Sequence, residues 1–321
     1  MLKSFFNFYG GKTRVARHYP PPRHNRVIEP FAGGAGYSIC HHERDVVLVE
    51  RDPIIAGLWR WLIGASDADV LALPLEIPTT VRDLGLAPGP SALIGFWVTG
   101  GSSGPRQTPC KWMRERVNPS SGYWGEPVRA RIAAQVGAIK HWTVIEGDYS
   151  NAPNGEATYF VDPPYANKAG SYYRMKFAGH AALGDWCRTR PGQVIVCEND
   201  GATWLPFRHF RDIQSSTSAG HGKKISKEAI WLSDEHSTKT LPSGYSIRVF
   251  TMPADDEGDA CDVYRWEHVS GEVSGHLEGD GNFVRDSFGS WDEAAADISE
   301  QQTLIDTDGE WDAALEREVA A

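Results

Sequence analysis

Cysteine is scarce and unpatterned. The five residues Cys40, Cys110, Cys187, Cys197 and Cys261 form no Cys-x-x-Cys pair, are odd in number and lie far apart. Neither a disulfide framework nor a zinc site is indicated, and burial as small hydrophobes is expected. The 11 His include His41-His42, but no His-Glu-x-x-His or comparable ligand spacing occurs, so no metal is expected. Long apolar runs are also missing. None approaches the roughly 18–20 residues that cross a bilayer, which excludes a helical membrane span. The start, Met1-Leu2-Lys3-Ser4-Phe5-Phe6-Asn7, lacks the apolar stretch of about 7–15 residues that a secretory signal needs. A cytoplasmic protein is expected. What is present is a core: 41% of the 321 residues are hydrophobic, with 12 Trp, 12 Phe and 11 Tyr. That composition excludes wholesale disorder, and the length fits one large domain or two smaller ones.

The formal net charge of −10 would by itself argue against a nucleic-acid partner. It is unevenly spread. Residues 254–321 hold 20 Asp/Glu and three basic residues (Arg265, Arg285, Arg317), a net of −17, and residues 1–253 carry +7. A mildly basic body with an acidic C-terminal extension points to nucleic acid or to an interaction tail. The extension is also consistent with a solubilising segment. Ser290–Ile298 and Trp311–Glu316 read as short capped helix starts within it.

Short apolar runs followed by helical patterns mark an α/β chain. Strands are expected at Val27-Ile28, Val46–Glu50, Thr143–Ile145, Ala157–Val161, Gln193–Cys197, Ala229–Leu232 and Tyr245–Thr251. Helices are expected from Gly36 to about Glu43, from Ile54 to about Ile63 behind Pro53, and near Ala178–Arg190. The rhythm breaks over 65–140, where Gly, Pro and Ser become frequent.

Two segments carry chemistry. Ile28-Glu29-Pro30-Phe31-Ala32-Gly33-Gly34-Ala35-Gly36 joins a strand to a helix. Glycines there permit positive φ and close approach of a ligand to the backbone, and the helix start offers free N–H groups. Glu50 ends the next strand 17 residues after Gly33, where nucleotide-binding α/β folds hold a ribose diol. The same turn also serves where a helix packs tightly on a strand. More specific is Phe160-Val161-Asp162-Pro163-Pro164-Tyr165. Its two prolines stiffen the loop and remove two N–H donors. An acceptor carboxylate, an acceptor carbonyl at Pro163 and the ring of Tyr165 suit a planar base with an exocyclic amino group.

In these segments the sequence resembles the Dam-like family of DNA adenine (N6) methyltransferases, including its phage-borne members. Phe8-Tyr9-Gly10-Gly11-Lys12 is similar to the family's N-terminal motif, and Glu29–Gly36 to its S-adenosylmethionine loop. In that register Phe31, Gly33 and Ala35 take the pattern positions, with Ala35 replacing the second glycine and Gly34 and Gly36 flanking it. Glu50 falls at the usual ribose-binding Asp. Glu146-Gly147-Asp148-Tyr149 resembles the motif that meets the cofactor's adenine, and Asp162-Pro163-Pro164-Tyr165 matches the catalytic motif. Phe177, His180 and Leu183 resemble the segment that follows. The likeness covers about residues 4–252.

The resemblance implies a class I S-adenosylmethionine-dependent methyltransferase (Rossmann-like) fold, an α/β sheet with one antiparallel edge strand. The catalytic domain would be 1–64 plus 141–253, the inserted target-recognition region 65–140, and the acidic extension 254–321. It implies S-adenosyl-L-methionine as cofactor, double-stranded DNA as partner, and catalytic Asp162, Pro163, Pro164 and Tyr165. The implied cofactor set is Tyr9, Lys12, Glu29, Phe31, Gly33, Gly34, Ala35, Gly36, Glu50, Asp148 and Asp162. Candidate DNA contacts are Lys12, Arg114, Arg116 and Arg129, in a region that interleaves basic residues with Trp97, Trp112, Tyr123 and Trp124. A ribosomal-RNA guanine N2-methyltransferase is the nearest rival, but its two motifs lie closer together than the 129 residues between Gly33 and Asp162. An amino-cytosine enzyme more often has Ser at the position of Asp162. A third reading is a DNA-mimic or partner-recruiting protein acting through the acidic extension.

Overall fold

The computed structural model describes residues 2–114, 122–214, 225–233, 238–240, 245–252, 261–268 and 274–277. The apolar runs form the strands β1 (Arg26–Glu29), β2 (Asp45–Glu50), β3 (Thr143–Glu146), β4 (Ala157–Val161), β5 (Gly192–Asn199) and β7 (Ile225–Leu232), and the more polar segment Arg208–Gln214 forms β6. Their order in one sheet is β3-β2-β1-β4-β5-β7-β6. β1 to β5 run parallel, and β7 runs antiparallel to both β5 and β6. This is the class I methyltransferase topology. One detail differs from expectation: the antiparallel strand is not at the edge, because β6 covers it.

β1 and β2 lie to one side and β4 and β5 to the other, so the strand order reverses between β1 and β4. A crevice opens beyond the carboxyl ends of the strands at such a point. Val27 pairs with Thr158 and Ile28 with Tyr159 in parallel. The residues that follow β1 and β4 therefore emerge side by side, although they are 129 positions apart.

Successive strand residues go to opposite faces. Val27, Val46, Leu48, Phe160, Ile195 and Ile230 join one buried cluster, and Ile28, Val47, Val49, Tyr159, Val194 and Trp231 the other. Helices cover the sheet. They are α1 (Gly36–Cys40), α2 (Pro53–Gly64), α3 (Asp67–Leu71), α4 (Pro88–Trp97), α5 (Lys111–Arg114), α6 (Glu126–Val136) and α7 (His180–Arg188). α1 stops short of its expected end at Glu43.

The described residues of 65–140 include four α-helices, and their core is continuous with the sheet's. Leu93, Ile94, Phe96 and Trp97 of α4 and Val128, Ile132 and Val136 of α6 share one cluster with Phe5, Phe6 and Trp59. The chain divides after Ser233. Tyr245–Thr251, expected as a last core strand, instead belongs to a second, four-stranded antiparallel sheet. This comprises β8 (Thr238–Thr240), β9 (Tyr245–Met252), β10 (Cys261–His268) and β11 (Ser274–Leu277), in the order β11-β10-β9-β8. The expected helix starts at 290–298 and 311–316 lie outside the described residues. Among the described residues, no helix is long and apolar enough to cross a membrane, and no cluster of three His, Cys, Asp or Glu could hold a metal. Cys187 and Cys197 are buried, and Cys40 and Cys110 half-buried, all as free thiols.

Candidate active site

The crevice is an open cavity that encloses about 790 Å³ when the space out to its solvent mouth is included. Its lining brings together most of the residues singled out in the sequence: Lys12, Glu29, Phe31, Gly33, Gly34, Ala35, Gly36, Glu50, Asp148, Asp162, Pro164 and Phe177. Tyr9, Pro163 and Tyr165 are not in the lining. Tyr9 packs edge-on against Tyr172 and Tyr173 beside the cavity, and its neighbour Phe8 forms the wall instead.

The loop after β1 holds two left-handed residues, Gly33 (φ 43°) and Ala35 (φ 48°). Among the described residues, Ala35 is the one non-glycine with positive φ, a conformation that costs an L-residue about 1–2 kcal/mol. The turn thus takes a left-handed conformation at this position although the residue is not glycine. Gly33 and Gly36 make room for the N-terminal segment. A Cβ on Gly33 would meet the Phe8 ring at 2.7 Å, and one on Gly36 would meet the backbone N of Thr13 at 2.6 Å. The Gly-Gly-Lys segment therefore lies directly on the start of α1.

Acidic groups hold this loop. Glu50 accepts from Gly33 N (2.9 Å) and from Asp52 N (2.7 Å), and burial pushes its carboxyl up despite those bonds. Glu29 is 2% exposed and accepts from Ser38 N at 2.6 Å, tying β1 to α1. Burial, opposed by the hydrogen bonds of Ser38, raises its pKa to about 8. Asp148, at the end of β3, accepts from Ser150 N and lies 3.7 Å from Arg51. Phe31 stacks on Tyr149 with ring centroids 5.7 Å apart and meets Phe177 edge-on.

At the end of β4, Lys12 Nζ donates to Asp162 Oδ1 at 2.8 Å, lies 3.8 Å from Glu228 Oε2 and sits 4.8 Å from the centre of the Tyr165 ring. Burial alone would lower the Lys12 pKa, but the attraction of Asp162 and Glu228 outweighs it and raises it. Burial lifts Asp162 to about 6, with Lys12 pulling it down and Glu228 and Glu198 adding to the rise. Among the described residues, no hydrogen bond engages Asp162 Oδ2. The Tyr165 hydroxyl donates to Glu228, so that ring is braced from β7.

His180 Nε2 lies 2.9 Å from the Pro164 carbonyl. A carbonyl only accepts, so Nε2 carries the proton. This gives His180, noted in the sequence only by resemblance, a physical role in fixing the Asp162–Tyr165 loop. Glu198 braces the same loop by accepting from Ala166 N (3.0 Å) and Trp204 Nε1 (2.9 Å). Arg174 clasps Asp52 through two bonds of 2.7 and 2.6 Å. That clasp ties the segment bearing Tyr173, Met175 and Phe177 to the N-terminus of α2.

Sequence reading missed Asp52, Arg174, Glu198 and Glu228. Asp52 had a signal, an N-cap before Pro53. The other three are single charged residues whose partners lie far off in the chain, and only the folded structure reveals them.

The candidate DNA contacts are not brought together. Lys12 is buried and committed to two carboxylates. Arg129 bonds the Leu73 carbonyl and Glu126, and Arg114 bonds the Pro109 carbonyl. Arg116 lies outside the described residues, as does the side chain of Trp112. Trp97 and Trp124 are core residues, their indole N–H groups bonded to the carbonyls of Phe5 and Pro74.

No family model and no curated protein sequence matches the chain. Among solved structures it is similar to the crystal structure of the glycopeptide N-methyltransferase MtfA, at 13% identity over 88% of this chain and 79% of that one, with a TM-score of 0.28. The same enzyme complexed with (S)-adenosyl-L-methionine gives 12% identity over 89% and 79%, with a TM-score of 0.27. At these scores the fold assignment rests on the strand order alone.

Proposed function

We propose that the chain is an S-adenosylmethionine-dependent DNA adenine-N6 methyltransferase of the Dam-like kind. One observation carries the reading. The glycine loop, Glu50, Asp148, Asp162 and Pro164 line a single cavity at the switch point of a class I methyltransferase sheet. The lining fits the cofactor chemically. Phe8, Phe31, Ile55 and Phe177 give it apolar walls, and Glu50, Asp148 and Asp162 supply carboxylates for a ligand bearing hydroxyls, amino groups and a cationic sulfur. Glu50 would hold the ribose hydroxyls and Asp148 the adenine. When bound, S-adenosylmethionine supplies an electrophilic methyl group.

The chain's own residues position the acceptor. The target base must leave the DNA stack, at a cost of a few kcal/mol that pocket contacts offset. Asp162 Oδ2 accepts an N–H of the exocyclic amino group, and the Pro163 carbonyl accepts the other. These bonds turn the nitrogen lone pair out of the ring. The carboxylate also stabilises the positive charge that develops on nitrogen. Tyr165 offers a ring for stacking, and His180 keeps its loop in place. Positioning is the enzyme's main contribution, and no covalent enzyme intermediate is needed.

The test is expression in a methylation-deficient bacterium, followed by sequencing that detects modified bases. N6-methyladenine at a defined site is expected. Unmodified DNA from cells containing the soluble protein would overturn the reading.

A further inference from the structure

Glu228 sits within β7, a strand that no motif marked as functional. Its position is fixed by the ladder, opposite Asn199 of β5 and Arg211 of β6. It is 6% exposed. One carboxylate oxygen accepts the Tyr165 hydroxyl and lies 3.8 Å from Lys12 Nζ, and the other accepts from Ser226 Oγ at 3.1 Å. Tyr19, Tyr173, Cys197 and Asp162 also feel its charge, and Arg211 stands opposite it on β6.

We propose that Glu228 is a positioning residue of the active site, bracing the Tyr165 ring through its hydroxyl and sharing Lys12 with Asp162. This rests on the function proposed above. The two prolines fix the backbone before Tyr165 but leave its side-chain torsions free. A hydrogen bond at the far end of the ring removes that freedom. The shared ammonium has a second effect. Lys12 competes with a substrate amino group for Asp162, and Glu228 draws part of that ammonium away. Without Glu228, Lys12 would pair with Asp162 alone and blunt its acceptor.

The experiment compares Glu228→Gln, Glu228→Ala, Tyr165→Phe and the Glu228→Ala/Tyr165→Phe double variant of the full chain. Methyl transfer to DNA from a methylation-deficient bacterium is measured against pH, with cofactor affinity measured separately. In Glu228→Ala, kcat should fall roughly 10- to 100-fold, the scale of a displaced positioning group, while cofactor affinity holds. The double variant should be no slower than the slower single, as expected for groups that act as one unit. In Glu228→Gln, which keeps the shape but not the charge, loss of the neighbouring negative charge should move the acid limb of the rate to lower pH than in the wild type. Tyrosine labelled with ¹³C at Cζ gives a reading independent of activity. The Tyr165 signal, identified by its loss in Tyr165→Phe, should shift in Glu228→Ala.

Wild-type kcat in Glu228→Ala, additive losses in the double variant, an unmoved acid limb or an unmoved Tyr165 signal would each overturn the role of Glu228. Absence of transfer by the wild type would overturn the proposed function instead, and the Tyr165 signal would then decide Glu228's hold on the ring by itself.

Discussion

Glu29 shows how one buried carboxyl shapes the response to pH. Its folded pKa of about 8 lies well above the ordinary 4.5 because burial penalises the charge. Between those two values the folded chain keeps a proton that the unfolded chain has released, so stability falls as pH rises through the window. Glu29→Gln removes the titration while keeping an acceptor for Ser38 N. The melting temperature of the wild type should therefore fall relative to that of Glu29→Gln between about pH 5 and pH 9. Parallel curves would contradict the raised pKa. At this scale the sequence was readable where a short motif brings residues to the cavity, as at Asp162 and Pro164. It was unreadable at Arg174, Glu198 and Glu228, because nothing near them in the chain hints at the partner across the fold.

The N-terminal segment and α1 meet at Gly36, where a Cβ would press on the backbone of Lys12 and Thr13 at 2.6–2.9 Å. Backbone atoms cannot yield as a flexible side chain can, so Gly36→Ala should push Lys12 off Asp162. Overpacking of this kind costs about 1–3 kcal/mol. A lowered melting temperature together with lost methyl transfer is expected, and wild-type values of both would show that the contact is slack. β1, β2, β4, β5 and the second half of β7 were legible because apolar runs covered on both faces have few alternatives. β6 was not, because a register shift between His209 and Arg211 breaks its alternation. α4 was hidden by its opening Pro88-Gly89-Pro90. There Pro88 takes a first-turn position that needs no N–H donor, and Gly89 lets the helix lie against Trp61. The segment 65–140 thus broke the α/β rhythm in sequence while supplying much of one core face.

The net charge of −10 combines a body of +7 that holds every residue of the candidate site with a −17 extension that holds none. All cavity-lining residues precede Ala178, and the chain divides after Ser233. Removing residues 234–321 should leave cofactor affinity unchanged, as read by calorimetry. A lost cofactor site would contradict the division. The proposed DNA partner would meet the basic body, so the total charge does not exclude it. The most direct test of the account is Asp162→Ala, assayed for S-adenosylmethionine binding and for methyl transfer to DNA. Bound cofactor at near wild-type affinity, with adenine methylation abolished, is the predicted result. Methylation at near wild-type rate by that variant would contradict the central claim.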